Sequence, residues 1–436
     1  MNNLNFLVDV LKESPVFKTL EKNVKSGRTV CASGLSTINK SNIIYALCRL
    51  KGVTAFCLAS DEKEAQTLCN DLSCMGLRAY VYPVRDFNFL DFQSRSHEYE
   101  HARLKVLLKL INHECDVAIA CVDAAAQLTV PKNVLEQSVI EFEEGRELSL
   151  EKATKALTLL GYERFDAVEG SGQFSLRGGI LDFFMPDSDY PVRCEFWGDE
   201  ITDLSYFDIE TQRRFKKADK ITLSPSTEIV IEDRAALADK IEHKAKLLRS
   251  KNSAKAKEKL FSEAELIRSG AMIANADKFI NQIYDNPESL FDYLDRNTLV
   301  FASEFTAIQE RGKSMDFISN ETLMQGFEDG TLCRGFDRFA LTFNECTEFL
   351  QSHGTIVLEN FVHGSMPIKL SEIISFSTKQ LSAWGGSYKQ LKEDVDGLFT
   401  PESKGVIFAG TERAAKNLCD TFNADGINAV YSEGAD

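Results

Sequence analysis

Over the first 130 residues, short apolar runs alternate with helix-length segments, and that rhythm admits few folds. TVCAS, VTAFCLAS, RAYVYPV and DVAIACV read as strands. Ser41–Lys51, Asp61–Met75 and His97–Asn112 have helical spacing. Strands separated each time by a helix pair in parallel, with helices on the faces of the sheet. The hydrophobic share of 44% is enough for real cores, and 27% charged residues fit a globular chain.

At 436 residues, two to four domains are expected. Residues up to Lys25 read as a pair of amphipathic helices, anchored by Leu7, Leu11, Phe17 and Leu20. Residues 1–129 form the first part of the α/β domain. Near Thr129 the pattern changes to short strands, a helix around Leu150 to Gly161 and a Gly-rich run, which predicts a small α+β module over 130–213. A mainly helical stretch with one buried strand, TLVFAS, makes 214–320 the return to the first domain. Residues 321–335 read as a linker and 336–436 as a further small α/β domain. The run ends just after a strand, at SEGAD, which reads as a domain boundary.

Between the first strand and its helix lies GLSTINKS, one letter from a phosphate-binding loop. Gly34, Lys40 and Ser41 stand where the pattern needs them. Asn39 replaces the second glycine, where a side chain intrudes on phosphates held by backbone amides. HEYEH (His97–His101) matches a zinc-binding pattern by letter, but no third ligand is placed nearby, so a solvated helix start is expected and no metal site. Arg164, Arg177 and Arg193 lie on short elements, with Glu195 on the same strand face as Arg193. From spacing alone this is a surface salt-bridge pattern.

The net charge of −16 makes the chain a poor candidate for broad, sequence-independent clamping of DNA, although it says nothing of local patches. Eleven cysteines without a CxxC read as free thiols in a reducing cytoplasm. No signal peptide and no apolar run long enough for a membrane span is seen. The chain is expected in the cytoplasm.

The run YERFDAVEGSGQFSLRGGILDFFMPDSDYPVRCEFWGDEITDLSYFDIETQRR closely resembles the UvrA-binding module shared by UvrB and the bacterial transcription-repair-coupling factors. The resemblance implies a degenerate RecA-like, P-loop parallel-sheet domain with that module inserted. It aligns SLFDYLDRNTLVFASEF with the strand that carries the Walker B acidic pair in UvrB; here Ser303 stands for the magnesium-linked Asp and Glu304 remains. It also implies that YPVRDFNFLDFQSRSHEYEHARL leaves no room for the long DNA-gripping hairpin of UvrB. Both departures favour the coupling factors. The resemblance implies a non-catalytic segment without a cofactor of its own, its degenerate nucleotide site being Gly34, Asn39, Lys40, Ser41, Ser303 and Glu304. UvrA would dock on Arg164, Arg177, Arg193 and Glu195, with Ser175 where the family has one further arginine. A C-terminal domain would mask that face in the full protein. ATP, magnesium, RNA polymerase and double-stranded DNA would be bound by other domains of an ATP-dependent translocase that acts in transcription-coupled excision repair. The alternative is a UvrB-like ATP-dependent repair protein with a live P-loop.

Overall fold

The computed structural model describes residues 5–25, 27–85, 97–249, 253–270, 276–361, 366–378, 384–400 and 411–432, with single positions between 403 and 409. In chain order its strands are β1 (Val30–Ser33), β2 (Ala55–Ala59), β3 (Ala79–Tyr82), β4 (Val117–Cys121), β5 (Ile140–Glu143), β6 (Glu163–Arg164), β7 (Gln173–Arg177) and β8 (Ile180–Phe183). They continue with β9 (Val192–Trp197), β10 (Glu200–Phe207), β11 (Arg214–Lys217), β12 (Lys220–Leu223), β13 (Leu299–Ser303), β14 (Ile356–Leu358) and β15 (Glu372–Ser375).

Seven of these form one sheet in the order β15-β1-β14-β13-β2-β4-β3, with every neighbouring pair parallel. Its central strands are buried from end to end, as a sheet covered on both faces requires. Alternation divides each strand between two cores. Phe56 and Leu58 join one with Val300 and Ala302, while Ala55, Cys57 and Ala59 join the other with Phe301 and Ile356. All eleven cysteines are free, and no described helix is long and apolar enough to cross a membrane.

Three boundaries differ from those read in the sequence. The expected linker 321–335 is largely helical, because the helix Phe305–Asp329 runs through Glu321 and stops at Gly330, in the left-handed conformation. β14 and β15 belong to the first sheet, so 336–436 is not one separate unit. β14 fills the gap between β1 and β13, with Ile356 in register with both Val30 and Phe301. Three residues are too few to show a period, and the two neighbours of β14 lie far apart in sequence. The inserted module also runs past 213, since β12 pairs with β5 at its start. The stretch expected to leave no room for a UvrB-like hairpin includes 86–96, which lies outside the described residues.

The module is a six-stranded sheet in the order β11-β10-β9-β8-β7-β6, with the β12-β5 ribbon beside it. Phe174, Leu181, Phe183, Cys194 and Leu204 point to one side. There they pack on Phe142, Ala153, Leu157 and Ile221 from the ribbon and the helix Leu150–Leu159.

Candidate functional site

Alternation sends the other residues of those strands to the opposite face. Register aligns Ser175, Asp182, Arg193 and Ser205 in one row and Arg177, Ile180, Glu195 and Asp203 in the next. Asp182 organises this face. It is only 1% exposed, and it accepts from Arg193 Nε at 2.7 Å and Nη2 at 2.8 Å and from Arg177 Nη2 at 2.8 Å. A carboxylate so deeply buried requires such charge-assisted partners. Arg193 also donates to the Gln212 backbone and side-chain oxygens at 3.1 Å, and its guanidinium lies 4.3 Å from the Phe207 ring centroid. Arg193 is thus committed to the fold, at 12% exposure. Arg177 is half exposed at 51% and offers the rest of its guanidinium to solvent.

Glu195 is partly exposed and paired with Arg214, whose other nitrogen holds Asp203 at 3.0 Å. Arg164 is exposed on the two-residue edge strand, but its register partner is the core residue Phe174. Strand phase therefore sets it apart from the face that unites Arg177, Arg193 and Glu195. Two members of that face escaped sequence reasoning. One is Asp182, hidden inside the apolar run GGILDFF. The other is Trp197, two residues beyond Glu195 and so on the same face, at 82% exposure. It precedes a hairpin turn at Gly198, with φ +63°, and only that turn, GDE, was legible.

The strand–helix loop at Lys40 is closed on itself. The helix Thr37–Lys51 begins three residues before Lys40, directly after Ser36. The Lys40 amide is therefore spent on Ser36 O at 3.0 Å, and the Gly34 and Leu35 amides donate to Asn360 O and Glu359 O at 3.1 Å. A phosphate cradle needs such amides free. Gly34, with φ +78°, is required here, because a Cβ would sit 2.1 Å from Phe376 O, on the chain that follows β15. Asn39 donates to Ser36 Oγ at 2.8 Å, and buried Ser41 to Asp71 at 3.0 Å.

Lys40, 3% exposed, donates to Glu304 at 2.6 Å, Ser303 at 2.8 Å and Glu64 at 3.2 Å, and Ser303 donates to Glu64 at 2.6 Å. Glu304 takes a left-handed backbone, with φ +57°, that is costly for a residue with a side chain. Burial pushes its carboxyl up, but the Lys40 bond and charge more than offset this and hold it below the usual range. Its neighbour Glu359 goes the other way. Burial and the nearby Glu304 charge, opposed by a bond from the Phe305 amide, raise it to about 7. The six residues read as a nucleotide site are thus close together, with the lysine already neutralised by the protein's own carboxylates.

His97 and His101 stack at 5.9 Å on the helix Glu98–Ile111, with His97 against Glu100 at 3.0 Å. His101 fits against Gly172 of the module, where a Cβ would come within 2.6 Å of the ring. Among the described residues no group of three or more His, Cys, Asp or Glu side chains is arranged to hold a metal ion. The helix is a seat for the module: Glu100 accepts from the Glu228 amide at 2.7 Å, and fully buried Arg103 donates to Glu228 at 2.7 Å.

The sequence profile of the UvrB interaction domain matches residues 140–229, a span that contains the face just described. A transcription-repair-coupling factor of Bacillus subtilis is 26% identical over 428 residues, covering 95% of this chain and 36% of the relative. The chain is a relative of the transcription-repair-coupling factors. Those of Staphylococcus epidermidis and Staphylococcus aureus are 24% and 21% identical, covering 80% and 95% of the chain. The chain spans about a third of the length of these coupling factors. The match begins at β5 and ends beyond β12, which agrees with the paired ribbon that closes the module.

Proposed function

We propose that this chain recruits UvrA during transcription-coupled repair, through the outer face of its UvrB interaction domain. The observation that carries the reading is a matched domain whose polar face leaves Arg177 and Trp197 open to solvent. Trp and Arg are both enriched among the few residues that carry most of the binding energy of an interface. Arg193 and Asp182 set the shape of the face, and Glu195 and Arg214 present charge beside it; Arg164, expected with them, lies off this face on the edge strand.

The reading includes no ATP hydrolysis by this segment and no cofactor. Against nucleotide binding speak the occupied amides and the paired Lys40. ATP-driven translocation, magnesium, RNA polymerase and the main grip on double-stranded DNA are assigned to other parts of a longer coupling factor, working in the cytoplasm. A UvrA pull-down tests the docking face. Arg177→Ala should weaken capture about tenfold or more while leaving the fold intact, as expected for a truncated interface anchor. Undiminished capture would move the site elsewhere.

A further inference from the structure

Residues 243–257 hold six Lys or Arg and no Asp or Glu, in a chain of net charge −16. The described ones flank the tip of a hairpin built from the helices Arg234–Leu247 and Ser253–Ser269. Arg268 reaches Asp239 and Glu242, while Lys246 lies over Phe261, so the two helices run antiparallel. Ile241, Ala245, Ala256 and Leu260 make the seam. Lys246, Arg249 and Lys255 are exposed at the tip and Lys257 is half-buried. Lys246 has only a long contact with Glu242, at 3.7 Å. The other three have no acidic partner among the described residues. Glu258, Glu328 and Asp329 lie close in sequence or beside Gly330, which packs on Lys255. With Lys244 counted, the described cations still outnumber these acids.

The placement works against local stability. The second helix has no acid in its first turn and carries Lys255 there, at the positive end of the helix dipole. A local choice that opposes its own helix is a mark of function. Such a patch suits a polyanion. The tip is two helix ends wide, too narrow for the roughly 800 Å² that each side of a stable protein interface buries. Single strands need aromatic platforms, and the nearest ring, Phe261, is partly covered by Lys246. Lysines grouped at two adjoining helix ends suit the phosphates of a duplex, which they contact as point charges.

We propose that this hairpin tip holds the phosphate backbone of double-helical DNA through Lys246, Arg249, Lys255 and Lys257, without reading sequence. The test is fluorescence anisotropy of a short mixed-sequence duplex with the whole 436-residue chain, between about 50 and 200 mM salt. Changing all four residues to Gln should lower affinity at least about tenfold at the lower salt and flatten the log–log salt slope by about 3 to 4. The exposed pair Lys152→Gln and Lys155→Gln, on the module helix, should change neither. Circular dichroism confirms that each variant is folded. A wild-type chain that does not bind, a Gln variant that keeps its slope, or an equal loss in the Lys152/Lys155 control would overturn the proposal. So would poly-glutamate binding more tightly than a duplex of equal charge, which would point to an acidic protein instead.

Discussion

Lys40→Met separates a structural lysine from a nucleotide-binding one. In this structure the ammonium is buried against Glu304, Glu64 and Ser303. Removing it leaves two carboxylates without their cation, which costs about 3–5 kcal/mol when the pair is fully buried. Glu304 is 27% exposed and keeps the Asn360 amide at 3.0 Å, so the low end applies, about 3 kcal/mol. That lowers the melting midpoint of the α/β unit by roughly 6–12 °C. Adding Glu304→Gln should recover part of the loss, because one stranded charge is then gone. The assay is a thermal melt by circular dichroism beside an ATP–magnesium titration by calorimetry. A Lys40→Met chain that melts like the wild type but has lost a saturable ATP site would refute the reasoning.

Glu359→Gln should remove a pH dependence. A carboxyl raised to about 7 when folded binds a proton that the unfolded chain releases near its ordinary value. Its contribution is therefore complete below about pH 4 and is lost as pH rises towards 7. The wild type should lose on the order of 1–3 kcal/mol between pH 5 and 7.5 in urea melts, and the Gln variant much less. Arg193→Ala should destabilise the module by about 2–4 kcal/mol, since Asp182 then keeps only the half-exposed Arg177; chemical denaturation followed by circular dichroism reads this. Gly172→Ala should loosen the seat of the module against His101 by about 1–3 kcal/mol, because φ is +78° and the added methyl meets the ring. Faster proteolysis between module and body would show it.

The parallel sheet was legible because its strands are buried on both faces and read as continuous apolar runs between helices. The place of β14 in that sheet was not, because IVL is too short to show where it pairs and reaches the sheet only after the chain has returned past the module. Arg177, Arg193 and Glu195 were found by resemblance, and strand alternation places them on one face. Their division of labour could not be read. Whether an arginine is spent inside or offered outside depends on Asp182, which pairs with Arg193 only once β8 and β9 are in register. Alternation also separates Arg164 from them, and nothing in its spacing announced that. Trp197 went unnoticed because a Trp before Gly-Asp reads equally well as the end of a strand.

The central claim is that UvrA docks on the Arg177–Trp197 face. Calorimetric titration of UvrA with the wild-type chain and with the Arg177→Ala, Trp197→Ala double variant tests it most directly. The wild type should bind saturably and the double variant should lose about 3–5 kcal/mol while the module stays folded, because Arg193 still holds Asp182. Equal affinities for the two chains, or no binding by the wild type, would contradict it.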